Sequence, residues 1–182
     1  RLALIVRRFY KQSMSENLLS SSLGFNGPLP PAHFNMARYC LAESARRWPD
    51  RVALIVVSDA DAPLDQAECW TYGVLDDAVR RVAAGLIAEG FKPGERLMIR
   101  MPNTSDYALL FFGAIAAGIV PLPSSSQLTE AEATFLLNDS AASAVAIAGG
   151  MGVNVGDARV IDESMMARLK AHTPLADYAD TL

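Results

Sequence analysis

Leu97-Met-Ile-Arg-Met-Pro-Asn103, followed by Tyr107-Ala-Leu-Leu-Phe-Phe-Gly-Ala-Ile-Ala-Ala-Gly-Ile-Val-Pro-Leu122, is the stretch on which the fold turns. Its first five residues, Leu97-Met-Ile-Arg-Met101, are strand-like. Pro102-Asn103 punctuates that run, and Ser105 or Asn103 is expected to cap a helix that continues through Ala117. Gly118 stops the helix, and Ile119-Val-Pro-Leu122 is again of strand length. Strand, helix and strand at these spacings make a βαβ unit, which calls for a parallel or mixed sheet covered by helices. The segment Tyr107–Pro123 is the longest apolar stretch of the chain. Two glycines interrupt it and a proline closes it, so a core helix leading into a strand explains it better than a membrane span.

Working outward toward the N-terminus, Leu75, Val79, Val82 and Leu86 recur at helical spacing between a cap at Thr71 and a stop at Gly90. Val52-Ala-Leu-Ile-Val-Val57 and Ala67-Glu-Cys-Trp-Thr-Tyr72 flank a polar turn region, Ser58–Gln66, and suggest a hairpin. Asn35 is placed to cap a helix over Met36–Trp48, which Pro49 ends. Toward the C-terminus, Thr129 and Glu132 match a T-x-x-E capping box for a helix ending near Asn138. Ala142–Ala148 is a buried strand candidate, and Arg159-Val-Ile161 and Glu163–His172 offer a last strand and helix. Residues 1–32 are expected to form an irregular leader, rich over 11–32 in Ser, Asn, Gly and Pro, and residues 33–182 to form the folded part. The apolar run near the start, Leu2–Val6, is too short for a signal-peptide core; a basic amphipathic targeting segment and a leader without structure of its own both fit it.

The chain has 182 residues, 51% hydrophobic and 20% charged, with a net charge of −4. That composition is globular and gives no general attraction to a phosphate backbone. Basic residues cluster only as the pairs Arg7-Arg8, Arg46-Arg47 and Arg80-Arg81, expected on solvated helix faces, so nucleic-acid binding is disfavoured. Cys40 and Cys69 read as free buried thiols of a reducing compartment, and the chain is read as cytoplasmic. With His33 and His172 they are too scattered for metal-ligand spacing, and no metal site is expected.

Gly149-Gly-Met-Gly-Val-Asn-Val-Gly156 is the obvious candidate for a nucleotide loop, because glycines let backbone N–H groups approach phosphate. It follows a strand but opens no apolar-periodic helix, and its spacing misses both G-x-G-x-x-G and G-x-x-x-x-G-K-[ST]. A turn between strands is the simpler reading. No G-x-S-x-G is present, and Ser20–Ser22 and Ser124–Ser126 read as loop serines. Asp76-Asp77 and Glu130/Glu132 lie near helix N-termini, where solvated acids complement the dipole. None of the lysines, Lys11, Lys92 and Lys170, falls in the glycine loop, and Phe111-Phe112 are expected to pack the core.

Taken in order, these pieces resemble the N-terminal region of the adenylate-forming enzymes, the superfamily of acyl-CoA synthetases, peptide-synthetase adenylation domains and luciferases. Trp48-Pro-Asp-Arg-Val-Ala-Leu54 resembles the segment that opens the family's first hairpin. Thr71-Tyr72 with Leu75 resembles its T-Y-x-E-L motif. Gly90-Phe-Lys-Pro-Gly-Glu-Arg96 with Met101-Pro-Asn103, and then Gly113–Leu122, resemble its turn-strand-bend and K-A-G-A-x-x-V-P signatures. Leu128-Thr129 and Leu137-Asn-Asp-Ser140 continue the match, which covers roughly residues 33–172. Val74, Ala117 and Ser124–Ser126 depart from the pattern, none at a catalytic position of the family. Asn35-Met-Ala-Arg-Tyr-Cys40 points toward the acyl- or aryl-CoA ligase branch.

The resemblance implies an α/β fold: part of the large domain, a hairpin plus a βαβ-type mixed sheet flanked by helices. It implies an acid–thiol ligase that uses ATP, Mg²⁺ and CoA and forms an acyl-adenylate, from which the CoA thiol displaces AMP. The family's phosphate loop ending in Pro-Lys, its ribose-binding Asp and its adenylating Lys all belong further along such a chain. No catalytic, cofactor-binding or metal residue is therefore assigned here. The segment is expected to serve as scaffold, inactive alone, with the rest of its chain as its partner and a homo-oligomer through exposed apolar surface also open. The turn after Ala142–Ala148 is where a CoA adenine would touch the segment, if it touches it at all. The alternative is a self-contained binding or regulatory module that keeps only the half-fold.

Overall fold

In the computed structural model of the chain, the described residues are 31, 33–58, 61 and 63–179. The leader expected over residues 1–32, with Lys11, Ser20–Ser22 and the targeting alternative, lies outside them apart from Pro31.

Asn35 is buried and anchors the first helical segment from both ends of its side chain. Its Oδ1 accepts the Arg38 N–H at 3.1 Å, and its Nδ2 donates to the carbonyls of Ile115 and Ala179 at 2.9 and 3.0 Å. A π-helical turn, Arg38–Ala42, runs into α1 (Glu43–Arg47), and the helix stops before Pro49 as expected. The hairpin is present as β1 (Val52–Val56) and β2 (Glu68–Thr71), which form an antiparallel sheet of their own with an irregularity between Val52 and Leu54. Cys40 and Cys69 are both exposed, which corrects the expectation of buried thiols. Cys69 pairs with the exposed Ile55, on the face of a two-stranded sheet left toward solvent.

Thr71 caps α2 (Tyr72–Ala88) by accepting the Val74 N–H, and Leu75, Val79, Val82 and Leu86 are all buried along its inner face. At its end Gly90, at φ +84°, donates to the Ile87 carbonyl while Phe91 donates to Leu86. This is a Schellman closure, and the left-handed residue it needs is a glycine. Gly118 closes α3 (Ser105–Ala116) in the same way. Neither Ser105 nor Asn103 caps α3: the cap position is Thr104, whose N–H folds back to the Pro102 carbonyl at 2.8 Å. The tight bend after Pro102 places Ser105 already inside the first turn.

Among the described residues the four remaining strands are β3 (Arg96–Arg100), β4 (Val120–Pro123), β5 (Ala144–Ile147) and β6 (Arg159–Ile161), all parallel, in the order β4-β3-β5-β6. Thr129 caps α4 (Glu130–Asp139) through the expected capping box, and α5 (Glu163–Lys170) follows β6. Side chains alternate across the sheet with period two. Leu97, Ile99, Ala144 and Ala146 face one core with α2, α3 and α5; Met98 and Val145 face a second, smaller one under Ala133 and Leu137 of α4. Pro121 and Pro123 lie on β4, an edge strand, where proline is tolerated.

Small residues set how closely the helices approach. A Cβ on Gly113 would stand 2.6 Å from Cγ1 of Val82, and one on Gly85 would stand 2.7 Å from Cα of Leu169. The architecture is α/β, with a small antiparallel sheet beside a parallel sheet flanked by helices, as the sequence implied.

Candidate functional site

The order β4-β3-β5-β6 means that the chain leaves β3 for one side, returns across it, and continues on the other. The strand order therefore reverses between β3 and β5. In open parallel sheets a ligand binds outside the carboxyl ends of the strands at such a reversal, because the two crossover connections part there. Three segments meet at that edge: the bend Met101–Thr104 after β3, the loop 124–129 after β4, and the loop 148–158 after β5.

The glycine stretch Gly149–Gly156 lies here, and its backbone explains its composition. Gly149, Gly150 and Gly156 have φ of +67°, +71° and +50°, a region that side-chain-bearing residues avoid. The loop joins two parallel strands without a helix, so no helix N-terminus stands behind it. Two of its amides are already engaged: Asn154 N–H donates to Oγ1 of Thr134 at 2.9 Å, and Gly156 N–H to Oδ1 of Asn154 at 3.3 Å. Val153 and Val155 pack over the smaller core. The loop is a structured crossover and lacks the geometry of a helix-backed phosphate cradle.

Arg100, the last residue of β3, holds this edge together and was not singled out from the sequence. It points to the α4 face, as its alternation with Ile99 requires, and only 3% of it is exposed. Nε donates to the carbonyl of Gly152 at 3.1 Å, one terminal nitrogen to Ser125 at 3.1 Å, and the other to Leu128 at 2.7 Å. Among the described residues no carboxylate is within ion-pair distance of it. Three carbonyl dipoles take the place of a counter-ion. The signal in the sequence was a cation closing the buried part of the strand, directly after the apolar run Leu97-Met-Ile99.

The other sequence candidates resolve into structure. Ser124 donates its hydroxyl to the Ile99 carbonyl and Ser125 accepts the Gln127 N–H, so these serines shape the loop. Glu132 completes the capping box; the Thr129 backbone N–H, then its hydroxyl, holds the carboxyl below its ordinary pKa. The Glu130 carboxylate stands against Gly152. Asp77 pairs with Arg81 at 2.6 Å, but Asp76 is not the solvated helix-end acid that was expected. It is 7% exposed, pairs with Arg80 at 2.9 Å, and accepts the hydroxyl of the buried Tyr178. The reason is tertiary: the segment after α5 folds back over α2 and covers it. Burial first, and then the bond to Asp76, push the Tyr178 phenol far above its ordinary pKa.

Arg80 also donates to the Leu175 carbonyl and Arg81 to that of His172, so the pair expected on a solvated face anchors the returning segment. Lys170 pairs with Asp106 at 2.7 Å. Phe111 and Phe112 lie edge to face at 5.3 Å and pack against the larger core. His33 is exposed and His172 half-buried, far apart in the chain, and among the described residues no cluster of three His, Cys, Asp or Glu could hold a metal. No described helix is long and apolar enough to cross a membrane.

Comparison with known proteins places this arrangement. A family model described as AMP-binding enzyme matches residues 41–179, more than half of the chain. Among curated proteins, the chain is 30% identical over 142 residues to the acyl-CoA ligase SID4 of Ajellomyces capsulatus, which covers 78% of this chain and 23% of that protein. It is 39% identical over 77 residues to a 4-hydroxybenzoate–CoA/benzoate–CoA ligase of Rhodopseudomonas palustris, over 42% of this chain and 14% of that protein. The chain thus spans less than a quarter of the length of these relatives. Among solved structures, a benzoate CoA ligase from Burkholderia xenovorans superposes with a TM-score of 0.66 at 26% identity, over 82% of this chain and 31% of that one. The N-terminal subdomain of Klebsiella oxytoca NpsA, bound to 3-hydroxyanthranilyl-AMSN, superposes with a TM-score of 0.68 at 20% identity, over 81% of this chain and 35% of that one, a likeness of fold.

Proposed function

The chain belongs to the AMP-binding enzyme family, and from that membership we propose that it is the N-terminal part of an ATP-dependent acid–CoA ligase that works through an acyl-adenylate. Residues 33–182 are read as the first part of the large domain, and residues 1–32 as its leader. The observation that carries the reading is the family match over residues 41–179, joined to relatives that are themselves named as CoA ligases.

The chemistry asks for a poor electrophile to be made reactive. A carboxylate joined to AMP acquires a good leaving group, and a thiol then displaces it. Mg²⁺ and CoA are the further cofactor and substrate that this scheme requires, with a carboxylic acid as the substrate activated. Nothing in residues 33–179 is assigned to the chemical step. Its contribution is a scaffold: a parallel sheet whose carboxyl edge, lined by the loops 124–129 and 148–158, offers a surface to a phosphate-bearing substrate. The turn after β5 is the proposed point of contact with the CoA adenine. The cytoplasm, where thiols stay reduced, suits the two exposed cysteines.

The test is a pair of partial reactions on the protein that carries this segment. Acid-dependent exchange of pyrophosphate into ATP, and CoA-dependent release of AMP with thioester formation, are expected together. Exchange without thioester formation would remove CoA from the reading, and neither reaction would overturn it. A second reading, a self-contained binding module, draws on the way residues 33–179 close their own core. Calorimetric titration of the 182-residue chain with Mg²⁺-ATP separates the two: tight binding favours the module, and its absence the scaffold.

A further inference from the structure

We infer that Arg100 is a positioning residue of this enzyme: it braces the loops 124–129 and 149–156 into fixed lips of the carboxyl edge, shaped for a phosphate-bearing substrate. The inference rests on the ligase reading above. Two independent loops approach each other over the end of β3, and each turns backbone carbonyls inward. Without a donor between them these carbonyls would be buried and unsatisfied, or the loops would part to admit water. The guanidinium supplies three diverging N–H donors at once, to Gly152 in one loop and to Ser125 and Leu128 in the other. A lysine ammonium is a point charge on a flexible stem and cannot hold the same planar fork.

Among the described residues Arg100 does this without a carboxylate at ion-pair distance, so carbonyl dipoles are its direct partners. Asp106, Glu130 and Glu132 are the acids on the neighbouring helix starts. Asp106 is taken by Lys170, Glu132 by the capping box, and Glu130 lies against Gly152 outside ion-pair distance of Arg100. A guanidinium whose direct partners are carbonyl dipoles, with no carboxylate paired to it, is the feature of this edge that would favour an anionic group over a neutral one. Both ATP and CoA carry such groups, and the experiment distinguishes them.

Arg100→Met and Arg100→Lys are introduced into the ligase that carries this segment, and kcat/KM is measured separately for ATP, CoA and the acid. In Arg100→Met, kcat/KM for one phosphate-bearing substrate falls about tenfold or more through its KM, against about twofold or less for the acid, and Arg100→Lys recovers part of the loss. A fall confined to CoA assigns the edge to CoA, and one confined to ATP assigns it to the nucleotide. Equal losses for all three substrates, or none, overturn the inference, because a merely structural residue would not discriminate among them. Should Arg100→Met fail to fold, backbone amide exchange in Arg100→Lys decides: faster exchange is expected in both loops, and unchanged protection in either one overturns the brace. An unmodified enzyme that forms no thioester would sink the ligase reading, and the exchange experiment would then decide the brace alone.

Discussion

Ala141 is the one described residue other than glycine with a positive φ, at +50°. It ends α4 just as Gly90 and Gly118 end their helices: Ala141 N–H donates to Asn138 and Ala142 N–H to Leu137. An L-residue with a Cβ pays about 1–2 kcal/mol for the left-handed region, and a glycine pays about 0.5–1 kcal/mol in lost chain freedom. Ala141→Gly should therefore stabilise the protein by about 0.5–1 kcal/mol. Chemical denaturation gives the sign directly, and a destabilised variant would show that the Cβ contributes packing that outweighs the strain. Arg100 is a different kind of residue, a buried charge in place of a left-handed backbone, and its three carbonyl acceptors show how that charge is tolerated.

At the scale of elements, two helix starts carry side-chain caps, one legible in the sequence as the Thr129/Glu132 box and one, Asp162, shown by the structure. Thr129 and Glu132 satisfy each other's backbone across α4, and Asp162 accepts the Met165 N–H at the start of α5. Both carboxyls are held below their ordinary pKa, Glu132 first by the Thr129 backbone N–H and Asp162 first by that of Met165. A lowered folded-state pKa means that the stabilisation is present above the unfolded carboxylate value and is lost as pH falls through the folded one. Thr129→Ala should cost about 1 kcal/mol near neutral pH and flatten part of the acid-side decline. A variant whose acid limb matches the unmodified protein would show that the box is not what titrates. The helix ends were as legible as the starts, because Gly90 and Gly118 mark left-handed closures. The cap of α3 was not, since the bend at Pro102 moved it by one residue.

At the scale of the molecule, the segment after α5 ties the end of the described chain to its beginning. Tyr178 donates to Asp76 on α2, Arg38 donates to the Tyr178 carbonyl, and Asn35 reaches both Ile115 and Ala179. Removing the phenol hydroxyl leaves a buried carboxylate short of a donor, so Tyr178→Phe should destabilise by about 1–3 kcal/mol. The raised phenol pKa also sets a pH signature. Its stabilisation is complete below the unfolded tyrosine value of about 10 and is lost as pH rises beyond it. Thermal melts between neutral pH and strongly alkaline pH should therefore show a decline that Tyr178→Phe reduces. An identical decline in both proteins would assign the alkaline limb to other groups.

Periodicity, caps and turn residues determined which segments would be helix and which strand, and their order sufficed to indicate the family, because each of these signals acts within a few residues of itself. Tertiary structure alone decided that Asp76 is buried, that Arg80 and Arg81 hold a distant segment, and that Arg100 braces two loops. Each of these depends on a partner at least 25 residues away in sequence. The cysteines show the same limit from the other side: they look apolar enough to bury, yet both are exposed. The glycine loop was rightly read as a connection. Only the reversal of strand order between β3 and β5 shows that it borders a switch point, because a switch point is a property of topology and no local run of residues contains it.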